Sequence, residues 1–145
     1  MTTPLKRIIL VEDSPRDAEI ALRAFGEYNL ANEVMHLRDG VEALDYLYQR
    51  GEYADRANGL PALILLDLKM PRVNGIEVTR AIKSDERTKR IPIVIMTSSN
   101  EESDIAETYN LGVNSYIVKP LDFDSLAEVA RQAGFYWLAI NRVAP

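Results

Sequence analysis

Short apolar runs along this chain alternate with stretches whose apolar residues recur every three or four positions. The runs fall at 7–12, 33–38, 62–66, 93–96 and 115–118. Runs this short and this uniformly apolar suit strands buried on both faces, as in a parallel sheet covered by helices. The spacing between and after them predicts helices at 15–27, 41–50, 75–84, 101–110 and 123–141. The first of these is the best marked. Ser14 can cap it, Pro15 suits the first helical position, and Asp17 lies in the first turn, where the helix dipole favours a negative charge. Ala18, Ala21, Leu22 and Phe25 then form a stripe for the core. Asn74 and Glu77 repeat the capping logic before Val78, Ala81 and Ile82.

Strict alternation of strand and helix implies an α/β domain with helices on both faces of the sheet. Right-handed crossovers leave few topologies, and five such units suit the flavodoxin-like, doubly wound order 2-1-3-4-5. The longest irregular stretch, 51–61, reads as polar surface padding. There is no internal repeat and no low-complexity tract.

Composition narrows the class. With 145 residues, 47% of them hydrophobic and 27% charged, the chain reads as one domain, 1–145, able to bury a normal core. The absence of cysteine removes disulfides and thiolate metal sites and fits a reducing, cytoplasmic setting. The apolar stretch near the N-terminus, Ile8 to Val11, is far too short for a signal sequence or a membrane span. A net charge of −5 opposes the phosphate backbone, so nucleic acid is not an expected partner. The one charged cluster, 83–90, has mixed sign and reads as a solvated connection.

The candidate chemistry sits at the strand ends. In the order 2-1-3-4-5, strands 1, 3, 4 and 5 lie side by side, and each ends in a polar group: Glu12-Asp13, Asp67, Thr97 and Lys119. Taken singly, each has a plainer use, Asp67 starting a turn, Thr97 capping a helix, Lys119 ending a solvated strand. Jointly they gather at the carboxyl ends of the strands, where open α/β sheets bind ligands. Glu12, Asp13 and Asp67 should converge at the switch point between strands 1 and 3. Three carboxylates so close need a countercharge, and a hard divalent cation keeping several waters, Mg²⁺ before Ca²⁺, suits so few protein ligands. Asp67 can act as a carboxylate nucleophile toward phosphorus, with Lys119 and Thr97 on the phosphoryl oxygens. The single histidine, His36, falls within strand 2, away from this edge, and needs no role.

Val11-Glu12-Asp13, the run 66–75 from Leu66-Asp67 to Asn74-Gly75, Met96-Thr97-Ser98 and Val118-Lys119-Pro120 together resemble the four signatures of response-regulator receiver domains, with the CheY-like fold. The resemblance extends from Lys6 to about Gln132. It implies that Asp67 takes a phosphoryl group from the phosphohistidine of a sensor histidine kinase. It implies Mg²⁺ held by Asp13, Asp67 and the backbone carbonyl of Lys69, with Glu12 acting through water. Thr97 and Lys119 would contact the phosphoryl oxygens, and Tyr116 would be the aromatic switch coupled to the hydroxyl. Lys69 and Ser99 would tune the phosphoryl lifetime, and Lys119-Pro120 would be a cis peptide. Glu12 and Asn74, each standing for a family aspartate, are mild departures.

Twenty-six residues follow Lys119, so a stand-alone receiver is expected, signalling by docking or by a change of assembly. In the last helix Leu126, Ala130, Ala133, Trp137 and Ile140 form one stripe, and Phe135, Tyr136 and Leu138 lie off it. This ending and the long second connection are similar to single-domain regulators of bacterial phytochrome kinases. That similarity implies a homodimer through the fourth-helix, fifth-strand, fifth-helix face and the extended C-terminus. Two other readings stay open. A phosphorylation-independent adaptor would need none of these polar groups, and an aspartate-nucleophile phosphatase would need an acid where Lys69 stands.

Overall fold

A computed structural model describes residues 7–27, 33–56 and 59–137. Five strands, β1 (Arg7–Val11), β2 (Glu33–Leu37), β3 (Leu63–Leu66), β4 (Ile93–Thr97) and β5 (Ser115–Val118), form one parallel sheet in the order β2-β1-β3-β4-β5. The helices are α1 (Pro15–Glu27), α2 (Gly40–Leu47), α3 (Gly75–Ser84), α4 (Glu102–Leu111) and α5 (Phe123–Phe135). The α/β class and the predicted strand order therefore both hold.

Alternation along the strands explains why the runs are apolar throughout. Ile9, Val11, Ile64, Leu66, Ile93 and Ile95 point to one face and meet Ala43, Leu47, Val78 and Ile82 of α2 and α3. Their neighbours Ile8, Leu10, Leu63, Leu65 and Val94 point to the other and meet Ala18, Ala21, Phe25 and Ala130 of α1 and α5. The three central strands, β1, β3 and β4, are thus buried twice, and losing one such side chain would cost about 2–5 kcal/mol. Helix α4 is held least: Thr108 is its only buried residue.

Some expectations need correction. Helix α2 ends at Leu47 rather than at position 50, because Gln49 takes a left-handed backbone, φ 54°. The connection that follows is not padding. Gly51–Tyr53 forms a 3-10 turn, and the Tyr53 ring meets Tyr46 edge-on, centroids 5.2 Å apart. The Arg56 guanidinium lies 4.3 Å over the Tyr46 ring and donates to the carbonyls of Tyr46 at 2.5 Å and Leu47 at 3.3 Å. Those are carbonyls the end of a helix leaves without partners. Helix α5 closes at Phe135, with Tyr136 and Trp137 continuing in a wider, π-type turn. Leu138 and Ile140, expected on the last helix, lie outside the described residues. Among the described residues, no helix is long and apolar enough to cross a membrane.

Candidate functional site

Parallel register brings the strand ends level. Val11 pairs with Leu66, and Thr97 with Val118, so the residues just beyond them share one edge. The backbone then fixes two of the key side chains. Asp67 donates its N–H to the Val11 carbonyl at 3.0 Å, and Lys119 donates its own to the Thr97 carbonyl at 2.7 Å. Both side chains are therefore aimed by ladder bonds that extend past the strands. No peptide bond among the described residues is cis, so Lys119-Pro120 is trans, against the expectation, in the form X–Pro bonds favour by about 0.5–1 kcal/mol.

Lys119 is the centre of the charge cluster. Its ammonium stands 2.5 Å from Glu12, 3.0 Å from Asp67 and 3.0 Å from Asp17, and its side chain is only 7% exposed. Asp67 is buried. One of its carboxylate oxygens accepts from the N–H groups of Leu68 at 2.7 Å and Lys69 at 3.4 Å, and the other faces Lys119. Thr97 is fully buried, and its hydroxyl oxygen accepts from the Ser99 N–H at 3.4 Å. Glu12 is buried while Asp13 is exposed. Oxygens of Glu12, Asp13 and Asp67 all lie within 4.8 Å of one another, a hard-oxygen set that fits a divalent cation. The side chain of Lys69 points to solvent, which leaves its backbone for any role in the site.

So much charge in so little water separates the acids. Burial and the adjacent Asp67 charge push the Glu12 carboxyl up to about 8. Burial works against Asp67 too, yet the Glu12 carboxyl, the Lys119 charge and the Thr97 hydroxyl hold it below the usual range. Burial opposes the Lys119 charge, but Glu12 and Asp67 outweigh it and raise that group. A carboxyl raised on folding binds its proton more tightly in the folded chain. The stability it brings is full below its ordinary value of 4.5 and is lost as pH rises toward about 8. Urea midpoints taken from about pH 5 to about pH 8 in metal-free buffer are therefore expected to fall, and to fall less in Glu12→Gln.

A glycine sets the loop after Asp67. Gly75 donates its N–H to the Leu68 carbonyl at 2.9 Å, and a Cβ placed there would sit 2.3 Å from the Asp67 carbonyl oxygen and 2.7 Å from Leu68 Cα. The obstacles are backbone and cannot rotate away. Gly75→Ala is expected to destabilise the fold by about 2–3 kcal/mol, measured by urea titration. Asn74, just before it, closes the predicted capping box with Glu77.

Beyond the cluster, Tyr116 is half-buried and donates its hydroxyl to the Ser99 carbonyl at 2.8 Å. Ser99, expected to tune the phosphoryl lifetime, lies in the loop after β4. It is buried, and its hydroxyl donates to Asp104 at 2.7 Å. That bond ties the loop after β4 to the first turn of α4. Two more residues escaped sequence reasoning. Asp17, read only as a dipole partner of α1, reaches Lys119. Its signal was available, since it lies in the first turn of the helix that starts just after Asp13. His36 is not remote, because its Nε2 lies 2.8 Å from the Glu12 carbonyl. Pleating gave no hint of that, since the contact is to backbone across two strands. Phe135 and Tyr136 are exposed at the end of α5, and Leu138 lies outside the described residues.

Comparison with known proteins agrees with this geometry. The family model described as the response regulator receiver domain matches residues 8–131. The probable methanogenesis regulatory protein FilR2 of Methanothrix harundinacea is 40% identical over 93% of this chain and 85% of its own. The response regulator Rcp1 of Synechocystis is 37% identical over 94% and 92% of the two chains. Its solved Mn²⁺-bound form superposes with a TM-score of 0.90, at 36% identity over 97% and 99% of the chains. The phosphorylated cyanobacterial phytochrome response regulator RcpA superposes with a TM-score of 0.91, at 39% identity over 98% of this chain and all of that one.

Proposed function

The chain belongs to the response regulator receiver domain family, and from that premise we propose that it is a single-domain switch of a two-component pathway. Asp67 accepts a phosphoryl group from the phosphohistidine of a sensor histidine kinase. The observation that carries this reading is the Asp67 carboxylate 3.0 Å from the Lys119 ammonium, inside a cluster of oxygens suited to a cation. An Asp67 oxygen attacks phosphorus, the phosphorus–nitrogen bond to the kinase histidine breaks, and an acyl phosphate remains on Asp67.

Asp13, Asp67 and the Lys69 carbonyl would hold Mg²⁺, with Glu12 acting through water. Bound there, the metal would supply neutralisation of the phosphoryl oxygens. Lys119 and Thr97 donate to those oxygens. Thr97 is then drawn toward the phosphoryl group. Tyr116, bonded to the loop just beyond Thr97, reports that shift to α4, the helix with the least buried surface.

A phytochrome-type kinase is the partner favoured by the likeness to RcpA. Phe135 and Tyr136 at the end of α5 and Tyr109 of α4, all exposed, support a homodimer through the α4–β5–α5 face and the C-terminal tail. The protein then acts as a cytoplasmic phosphoacceptor with slow self-dephosphorylation rather than as a turnover enzyme, because Lys69 stands where a phosphatase needs an acid. Incubation with acetyl phosphate and Mg²⁺ is expected to place one hydroxylamine-sensitive phosphoryl group on the peptide carrying Asp67. A label on another residue, or none at all, overturns the assignment.

A further inference from the structure

The ammonium of Lys119 has three N–H donors and meets three carboxylates, those of Glu12, Asp67 and Asp17. The first two belong to the cation-suited set and are 3% and 8% exposed. Asp17 is outside that set. It sits one turn into α1, is 18% exposed, and reaches the site only through Lys119. Its backbone N–H is held by the Ser14 hydroxyl at 3.2 Å, which fixes where on the rim its side chain begins.

We propose that Asp17 is a positioning residue for phosphoryl uptake: through its ion pair it draws the Lys119 ammonium toward the rim and offsets part of its charge, restraining how readily Asp67 is phosphorylated. The inference rests on the reading of Asp67 as the acceptor.

Charge accounting gives the direction. A bound divalent cation would favour ionised Glu12, and three ionised carboxylates, one ammonium and that cation would then sum to zero, so Asp17 leaves the site one unit negative. Converting the Asp67 carboxylate to an acyl phosphate adds a further negative charge. Asp17 therefore opposes the step electrostatically, at a range where a partly exposed charge still acts. It is also the partner Lys119 can most easily release. The Asp17 pair is the most solvated of the three, and solvated pairs are the weakest. Arg16 stands ready to take over, 3.0 Å from the other Asp17 oxygen and 3.5 Å from the Leu121 carbonyl in the turn after β5. Its guanidinium is 58% exposed, so it screens Asp17 only in part.

The initial rate of labelling by acetyl phosphate with Mg²⁺ tests this in the full chain, with Asp67→Asn as control. Asp17→Asn is expected to label about three- to tenfold faster at low ionic strength, with the gap closing as salt is added. Asp17→Glu, which restores the charge, is expected to return toward the wild-type rate. A merely structural role predicts the opposite sign, since a loosened Lys119 slows the reaction. An Asp17→Asn rate equal to or below wild type, with unchanged circular dichroism and urea midpoint, overturns the inference. So does an Asp17→Glu rate matching that of Asp17→Asn. Should Asp17→Asn fold poorly, Asp17→Ser carries the same expectation. Label persisting in Asp67→Asn removes the acceptor reading and this inference with it. No label there, with an unaltered Asp17→Asn rate, removes this inference alone.

Discussion

Asp67→Asn is expected to take up no phosphoryl group and yet to melt higher than the wild type in metal-free buffer. The loss of labelling follows because an amide oxygen is too weak a nucleophile to replace a carboxylate at phosphorus. The gain in stability follows from crowding. Glu12, Asp17 and Asp67 gather around a single ammonium, with Asp13 within 4.8 Å of Glu12 and Asp67, and burial has already forced Glu12 to hold its proton up to about 8. Removing the Asp67 charge lets Glu12 ionise against Lys119, which should be worth about 1 kcal/mol. The asparagine oxygen can keep the hydrogen bonds from Leu68 and Lys69, so the loop need not shift. Thermal melts with chelator decide the matter. A variant that melts lower than wild type would mean that the attraction between Asp67 and Lys119 outweighs the repulsion among the acids.

Lys119→Met has the opposite expected effect on stability. Methionine fills much of the lysine stem but leaves Glu12 and Asp67 buried without their cation. Breaking one side of a buried ion pair in this way costs about 3 kcal/mol at neutral pH. The deficit has a definite pH dependence. Without the ammonium both carboxyls titrate higher in the folded chain, so the missing stability should return as pH falls and they become neutral. Urea titrations of wild type and Lys119→Met near pH 7 and near pH 5 test this. A deficit that stays constant across that range would assign the loss to packing rather than to charge.

The two variants probe residues whose importance was legible in the sequence, because each closes an apolar strand. A carboxylate or an ammonium directly after a run such as Leu63–Leu66 must lie where buried backbone meets water, and the strand order follows from βα alternation. Ser115–Val118 was legible to the residue, bounded as it is by Asn114 and Lys119-Pro120. Capping chemistry likewise fixed the beginnings of α1 and α3. The end of α2 was not legible. It depends on a left-handed Gln49 and on Arg56 and Arg87 reaching back to the Leu47 carbonyl at 3.3 and 3.2 Å, and local propensity carries no record of such distant donors.

The misses inside the site share one cause. Ser99 was read only as tuning the phosphoryl lifetime, and its hydroxyl turns to Asp104. His36 was set aside on strand 2, but its ring meets the Glu12 carbonyl. Asp17 was given to the dipole of α1, but its carboxylate crosses to a lysine 102 positions along the chain. In each case the residue was placed on the right element and its side-chain partner was not.

Period and punctuation in the sequence determined the elements, their order in the sheet and the edge at which Glu12, Asp13, Asp67, Thr97 and Lys119 emerge, because burial on two faces and right-handed crossovers leave almost no other arrangement. Only the tertiary structure decided which of those acids is raised and which lowered, which carboxylates claim the one ammonium and which hydroxyl is already spent. Those outcomes turn on separations of a few ångströms in a region from which water is excluded, and there electrostatic energies change steeply with distance and burial.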